Sequence, residues 1–592
     1  MEGMVEAGEY PKRKISAFMY AATVFSSLGS FLFGFHTGGI SSAIPLIKYR
    51  IGIDHVWQES IVSITIGAAA VSSLVGGTIS DCFGRKFTMR CSSMFFLLGS
   101  IVFIAANEKI TLLVSRTLLG FATGFACASV PLYIAECSPT HSRGVLLSLN
   151  SVFITGGNFI SNFLCAAFSS YVDNGWRIAF AFSCLPPAAQ LFAFCYLPES
   201  PLWYIEHGRF YDAHEALRKL RPNSIEATRE FELLKAKNEQ DELEFLSKAG
   251  KPTMWSMLRN SKLLGLCLVG WCLFAFQQIC GINVVLYYSA TIIQMAGVNT
   301  VNISLWLAAA SSGIYLLCTV LSMPLVERFK RRVLILSSSL MVFISLLVIA
   351  TGFHFVSATS LPVTTYETWD KSETCSLLTT CDACVSSSRC GFCYTEQGHS
   401  SSFVNGSCAP RMRETNEYAA IGRCSSLLKN RGNFIWAPEW CPSSYAWIPV
   451  VGLLFYVLSF APGLGIMPWI INAELYPQCL RSAGISMATT ANFVFNLIVT
   501  LPFLTVVDYF GKAGTFYFLA IASLAAFLCF FLFLPETSGK HILSQFVPSW
   551  PAYENDKKHF GRRSSFSDSA NFRYMRIRGH NQQFYNEDEM SE

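Results

Sequence analysis

The chain has 592 residues, of which 52% are hydrophobic and only 14% charged, with a formal net charge of +5. A mean hydropathy of +0.39 excludes an ordinary soluble domain, whose average residue prefers water. The basic residues flank apolar stretches instead of forming one patch, which argues against a nucleic-acid partner and for membrane lipid.

About twenty apolar residues cross a bilayer core of about 30 Å. Windows of that size predict twelve spans, near 17–42, 57–80, 88–106, 111–135, 145–169, 177–197, 262–294, 303–326, 332–355, 445–470, 482–507 and 513–534. Residues 1–14 are polar, with no small-residue cleavage site after a short apolar core. The first span is therefore the expected targeting signal, and no removable leader is read. Arg85, Lys86 and Arg90 follow the second span, Arg143 the fourth, Arg328, Lys330, Arg331 and Arg332 the eighth, and Arg481 the tenth. The loop after the sixth is basic as well, whereas the loops with Glu108 and Lys109 or with Asp173 show no such excess. The charge rule then puts both termini in the cytosol.

The polar hinges between spans repeat. Asp81 to Lys86 is echoed by Glu327 to Arg332, Glu136 to Arg143 by Glu474 to Arg481, and Pro198-Glu199-Ser200 by Pro535-Glu536-Thr537. The register between the copies slips once, after Glu327, by about the length of the 356–444 loop. The expected organisation is an N-terminal six-helix bundle over 1–197, a cytosolic helical linker over 198–261, a C-terminal six-helix bundle over 262–534 and a polar tail over 535–592. Two bundles related by a parallel repeat predict a binding site near the midplane between them. The linker mixes apolar and charged residues with few breakers, so short amphipathic helices are expected there. In the tail, Arg562-Arg563-Ser564-Ser565 reads as a solvated basic run or a kinase site.

The 356–444 loop lies between the ninth and tenth spans, on the side opposite the termini. It holds eight cysteines, Cys375, Cys381, Cys384, Cys390, Cys393, Cys408, Cys424 and Cys441. An even count in an oxidising compartment favours disulfides. The Cys381-x2-Cys384 and Cys390-x2-Cys393 spacings leave a zinc site as the alternative. Asn405-Gly406-Ser407 is a glycosylation sequon on an expected surface; Asn302-Ile303-Ser304 is another, close to a span.

The seventh span reads Gln277-Gln278-Ile279-Cys280-Gly281-Ile282-Asn283, followed by Tyr287-Tyr288. Amides this close together in an apolar helix need partners, which a bound solute or a neighbouring helix can supply. Gln278 and Asn283 sit about 140° apart on an ideal helix, so one narrow site sees both only if the helix distorts, which Gly281 permits. The tenth span, Ala461-Pro462-Gly463-Leu464-Gly465-Ile466-Met467-Pro468-Trp469, is rich in breakers and reads as a flexible gate. Trp469 can offer an indole N–H to a hydroxyl, or serve as an interfacial aromatic. Asn492 and Asn496, one turn apart in the eleventh span, extend the polar wall.

The hinges at Asp81, Glu136, Pro198, Glu474 and Pro535, with the Gln277 to Tyr288 run, resemble the sugar porter family of the major facilitator superfamily over almost the whole chain. Within that family the Cys-Asp-Ala-Cys at 381–384, Cys-Gly-Phe-Cys at 390–393, Gly-Arg-Cys at 422–424 and Phe460-Ala461-Pro462-Gly463 are similar to the animal proton and myo-inositol cotransporters. The implied fold is an all-α membrane protein of twelve helices in two six-helix bundles, with a cysteine-rich extracellular insertion. The implied solute site is Gln277, Gln278, Asn283, Tyr287, Trp469 and Asn492, joined by Ser151 and Asn158, which stand where many relatives carry Gln. Arg85, Glu136, Arg143, Glu199, Glu327, Arg331, Glu474 and Arg481 look like the family's cytosolic charge network, which clamps the bundles while the carrier faces outward. Leu202 replaces a usual Arg and Lys330 a usual Gly, substitutions expected to weaken that clamp.

Proton-coupled members carry Asp in the first span, paired with an Arg in the fourth. Here those positions are His36 and Arg116. Like-charge repulsion and burial both favour neutral imidazole beside Arg116, so the usual pairing is lost. A coupled proton falling through 100 mV contributes roughly 2.3 kcal/mol, about a fifty-fold solute gradient. Arg116 needs a partner in the membrane, and the expectation is that spans one to six carry no carboxylate away from their cytosolic ends. The resemblance thus implies a proton-linked myo-inositol or cyclitol symporter working by alternating access. The His36 substitution keeps an uncoupled hexose or polyol facilitator open, and a non-transporting solute sensor is the third reading. No cofactor and no catalytic or metal-ligating set appears at a spacing that suits an enzyme.

Overall fold

The computed structural model describes residues 15–51, 53–139, 142–169, 174–249, 254–259, 261–298, 301–365, 373–387, 389–396, 403–412, 418–425, 434–438, 440–476 and 480–534. The expected kinase site and the Pro535-Glu536-Thr537 repeat lie outside them.

Among the described residues, twelve helices are long and apolar enough to cross a membrane: Ala17–Ile47, Val56–Phe83, Arg85–Ala105, Lys109–Cys137, Arg143–Phe168, Gly175–Tyr196, Leu263–Met295, Asn302–Val326, Arg331–Ala358, Trp447–Ala473, Arg481–Thr500 and Phe503–Leu532. Their outer sides expose large apolar residues such as Leu98, Phe192, Leu321 and Phe518, which suits hydrocarbon and not water. The largest departure from the hydropathy reading is at the last pair. The eleventh span ends at Thr500 and the twelfth starts at Phe503, ten residues before its predicted start. Leu501 and Pro502 make the turn between them, with Pro502 capping the twelfth helix. The unbroken apolar composition hides that turn. The predicted start falls instead near Gly511, where a φ of +74° kinks the helix.

The first six spans pack mainly on one another, as do the last six; the bundles meet where the first span faces the seventh, the second the eleventh and the fifth the eighth. Inside the first bundle, Gly34 and Gly157 allow the first and fifth spans to touch backbone to backbone. A Cβ on Gly34 would lie 1.8 Å from the Ile154 carbonyl oxygen, and one on Gly157 2.0 Å from that of Phe31. Close approach of this kind holds helices together where apolar burial gives no drive.

Between the bundles the linker forms helices at Pro201–Glu206, Phe210–Leu220, Ser224–Ala249 and Met254–Arg259. It is docked by polar anchors: the Trp203 indole donates to the Asp81 carbonyl at 2.8 Å, and Arg221 donates to the Cys137 carbonyl at 2.9 Å while holding Glu230.

The insertion folds around a three-stranded antiparallel sheet, β1 (Cys390–Glu396), β2 (Phe403–Pro410) and β3 (Phe434–Ala437), in the order β2-β1-β3. Its eight cysteines pair as Cys375–Cys390, Cys381–Cys441, Cys384–Cys408 and Cys393–Cys424. The zinc alternative is thereby corrected: each Cys-x2-Cys pair splits between two bridges, which leaves no thiolate for a metal. Asn405 lies in β2, with its side chain outside the described residues. Asn302 of the second sequon sits in the first turn of the eighth span and accepts a bond from Ser169 at 3.1 Å.

The Cys381–Cys441 bridge closes the longest loop, with a separation of 60 residues. Replacing both cysteines by Ser is expected to loosen the insertion by about 2–5 kcal/mol. Limited proteolysis of the protein in detergent should then cut within 356–444 while the wild type stays whole.

Candidate functional site

The seventh span is two helices, not one. The first ends at Ile279, Gly281 takes a φ of +86°, and the second runs from Ile282 to Met295. A left-handed residue reverses the local twist, which removes the 140° offset between Gln278 and Asn283. The two side chains now meet, with the Asn283 amide donating to Gln278 Oε1. The break orphans the Cys280 carbonyl, which accepts from the Tyr456 hydroxyl at 3.0 Å.

The tenth span breaks as well. Its first helix ends at Phe460, a wider π turn covers Ala461–Gly465, and the helix resumes at Met467. Pro462 removes a donor, so carbonyls and amides around it seek side chains. The Leu464 carbonyl accepts from Gln277 Nε2 at 2.6 Å, and the Leu464 amide donates to Ser338 Oγ at 3.1 Å. Asn492 of the eleventh span closes the circuit, donating to Gln277 Oε1 at 3.2 Å and accepting from Gln278 Nε2 at 3.3 Å. Four amides and one freed carbonyl thus form a continuous polar network on three different spans.

This network borders a cavity between the bundles. Ser151 and Asn158 line the opposite wall with Thr37 and Thr155, while Trp469, Phe460 and Tyr315 add aromatic faces. Trp469 is braced edge-on against Phe274, with ring centroids 4.9 Å apart. Asn158 accepts from Asn162 at 2.7 Å, and its own buried Nδ2 has no partner among the described residues. Of the expected site residues Gln277, Gln278, Asn283, Trp469, Asn492, Ser151 and Asn158 all line this one void. Tyr287 does not: it is buried behind the wall, where its hydroxyl accepts from Asn496 at 3.1 Å. Leu286 lines the void and Tyr287 points about 100° further round the helix, so Tyr287 and Asn496 form a second tier instead of extending the wall. The Leu464 carbonyl escaped sequence reasoning because a backbone atom leaves no letter; the breakers around it were the available signal.

At the linker-facing end Arg85 is 2% exposed and holds Glu136 with two bonds, at 3.0 and 2.9 Å. Asp81 stands 3.4 Å and Glu206 3.8 Å from its guanidinium. Glu199 accepts from the backbone amides of Arg85, Lys86 and Ser200, which caps the third span. Burial raises the Glu199 carboxyl while those amides pull it back. Glu206 is pushed up to about 8, first by burial and then by Glu136 and Asp81, against the pull of Arg85 and Arg481. Arg143 and Arg331 are engaged too, and Arg481 opens the eleventh span beside Ser482, whose hydroxyl donates to the Gly77 carbonyl at 3.5 Å. The side chains of Glu327 and Glu474 lie outside the described residues. Lys330 adopts a φ of −64°, open to any residue, so its replacement of Gly strains nothing. Leu202 is buried in the first linker helix.

His36 and Arg116 are both fully buried, but they meet through the backbone. Arg116 donates to the His36 carbonyl at 3.0 Å and to the Ile61 carbonyl at 3.2 Å. The partner missing from the sequence reading is thus a pair of carbonyls, and among the described residues no carboxylate reaches Arg116 within ion-pair distance. The His36 imidazole lies between Phe35, Phe96 and Phe180, with Nε2 3.2 Å from the Ser100 hydroxyl. One carboxylate was passed over: Glu59, near the start of the second span, is buried and bonds to Thr505.

The family described as sugar (and other) transporter matches residues 22–371 and 421–545. The proton myo-inositol cotransporter of Homo sapiens is 38% identical over 538 residues, covering 90% of this chain and 82% of that protein. The proton myo-inositol cotransporter hmit-1.1 of Caenorhabditis elegans is 35% identical over 548 residues, 89% of each. Inositol transporter 4 of Arabidopsis thaliana is 31% identical over 532 residues, 87% of this chain and 89% of that one. Among solved structures, the proton:xylose symporter XylE bound to 6-bromo-6-deoxy-D-glucose superimposes with a TM-score of 0.65 at 21% identity, covering 89% of this chain and 98% of that chain. The partially occluded inward-open XylE from E. coli gives 0.63 at 20% identity, covering 89% and 100%. The structures share the fold.

Removing one partner of the Arg85–Glu136 pair strands a buried charge. Glu136→Gln is expected to cost about 3–5 kcal/mol of stability. Glu206→Gln, at a carboxyl on the exposed edge of this network and 3.8 Å from the guanidinium, should cost little. Thermal unfolding of the two variants in detergent at neutral pH separates them.

Proposed function

The chain belongs to the sugar transporter family, and from that premise we propose that it carries myo-inositol or a closely related cyclitol across the membrane. The observation that carries this reading is the amide network on the shared cavity. A cyclitol presents hydroxyls around a whole ring, and each must trade its water for a fixed donor or acceptor. Gln277, Gln278, Asn283 and Asn492 supply both on one wall, and Asn158 with Ser151 supplies them opposite. Trp469, Phe460 and Tyr315 suit the C–H faces of the ring. The names of the human, nematode and plant relatives support the same solute class.

The carrier works by alternating access: the two bundles rock about the cavity so that it opens to one side at a time. Arg85, Glu136, Arg143, Glu199, Glu327, Arg331, Glu474 and Arg481 fasten the cytosolic side in this reading. The charge pattern of the loops supports cytosolic termini, and the disulfide-rich insertion, whose bridges need an oxidising medium, supports a place at the plasma membrane.

Proton coupling is part of the proposal, supported by the two animal relatives, but it does not run through a carboxylate at position 36. The burial of His36 among three aromatic rings, with Arg116 bonded to its backbone carbonyl and not to its imidazole, favours a second reading in which transport is uncoupled.

Uptake of labelled myo-inositol into cells expressing the chain, measured at acid and neutral external pH, tests both. Saturable uptake stimulated by acid is the expected result, and Gln278→Ala should reduce it at least about tenfold. Saturable uptake without acid stimulation or current supports the uncoupled carrier. Absence of uptake for inositol, other polyols and hexoses alike contradicts the reading.

A further inference from the structure

Glu59 takes no part in the cavity or in the Arg85 network, yet it is a carboxylate in an apolar span with only 6% of its surface exposed. Its two oxygens have one address. Oε1 accepts from the Thr505 amide at 2.8 Å and Oε2 from the Thr505 hydroxyl at 2.9 Å. Thr505 is the third residue of the helix that starts at Phe503, so its amide is one of the donors every helix leaves unpaired in its first turn. A carboxylate there also meets the positive end of the helix dipole. This is a helix cap supplied from the other bundle: Glu59 belongs to the second span and Thr505 to the twelfth.

Neutral pairs close the same end of the interface. Ser41 and Ser289 hydroxyls lie 2.8 Å apart, the Ala290 amide donates to Ser41 at 3.1 Å, and Ser169 donates to Asn302. The Tyr288 ring lies tilted against that of Phe503 beside this contact, with centroids 5.1 Å apart. If the bundles rock, this end cannot open without pulling the second span from the twelfth. That movement strips both bonds from Glu59 and uncaps the twelfth helix at once.

We propose that Glu59 and Thr505 form a latch that holds the face opposite the Arg85 network closed, and that its strength sets how often the cavity opens there. The latch rests on the carrier reading, but its test needs no solute, so the two fail separately.

The cavity is reported by Leu286→Cys, placed where the seventh span lines the void. A membrane-impermeant maleimide is applied in turn to sealed cells and to inside-out vesicles. Adding Glu59→Gln should raise the labelling rate at least about fivefold from the Glu59 face alone. Thr505→Val, which keeps the amide and loses only the hydroxyl, should raise it less, and the double variant should fall short of the product of the two. Unchanged rates in both variants, or effects that multiply, overturn the latch. If Glu59→Gln fails to reach the membrane, Thr505→Val decides alone, because its single lost bond must still speed labelling from that face.

Discussion

An amide inside hydrocarbon has to be answered by another polar group, and that requirement organises the centre of this molecule. The seventh span places Gln277, Gln278 and Asn283 where lipid or apolar side chains would leave several kcal/mol unmet. The chain resolves this by breaking two helices. Gly281 reverses one so that Asn283 reaches Gln278, and the Pro462 region frees the Leu464 carbonyl for Gln277. Asn492 then joins both glutamines. The break in the tenth span thus supplies an acceptor to the seventh, the break in the seventh brings its own amides together, and the result faces a void instead of a packed core.

The bonds of this network are not equal in length. Amide-to-amide bonds at 3.2 to 3.4 Å are long, and a hydroxyl that replaces one of them costs little net hydrogen bonding. The two ends of the molecule are held differently. At one end a buried guanidinium gathers carboxylates of the first bundle and the linker, and at the other serine and threonine hydroxyls meet across the bundles together with Glu59. Between them, Arg116 is held by carbonyl oxygens of the first and second spans, so its charge braces the first bundle without a counter-ion among the described residues.

Much of this could be read from letters. Hydropathy found all twelve spans, because a run of about twenty apolar residues has few other uses in a chain. The clustering of Gln277, Gln278 and Asn283 announced the cavity for the reason given above: amides are costly in that place. What stayed hidden has physical causes. Leu501 and Pro502 turn the chain within continuous apolar sequence, so composition shows no boundary. The partner of Arg116 and the acceptor for Gln277 are backbone carbonyls, which no residue type encodes. Tyr287 looked like a wall residue because sequence alone does not say which face of the second half-helix meets the void; Leu286 does, and Tyr287 lies behind it. Glu59 was visible, but near the end of a span it reads as an interfacial charge until Thr505 is seen beside it. The pairing of eight cysteines was beyond sequence, since spacing alone leaves many connectivities open.

The central claim is that the amides of the seventh and eleventh spans hold a polyol in the void between the bundles. A structure determined with saturating myo-inositol tests it most directly. The account predicts density for the ring within hydrogen-bond distance of Gln277, Gln278, Asn283 and Asn492, stacked against Trp469. An empty cavity, or a ring bound elsewhere while the amide network stays intact, would contradict it.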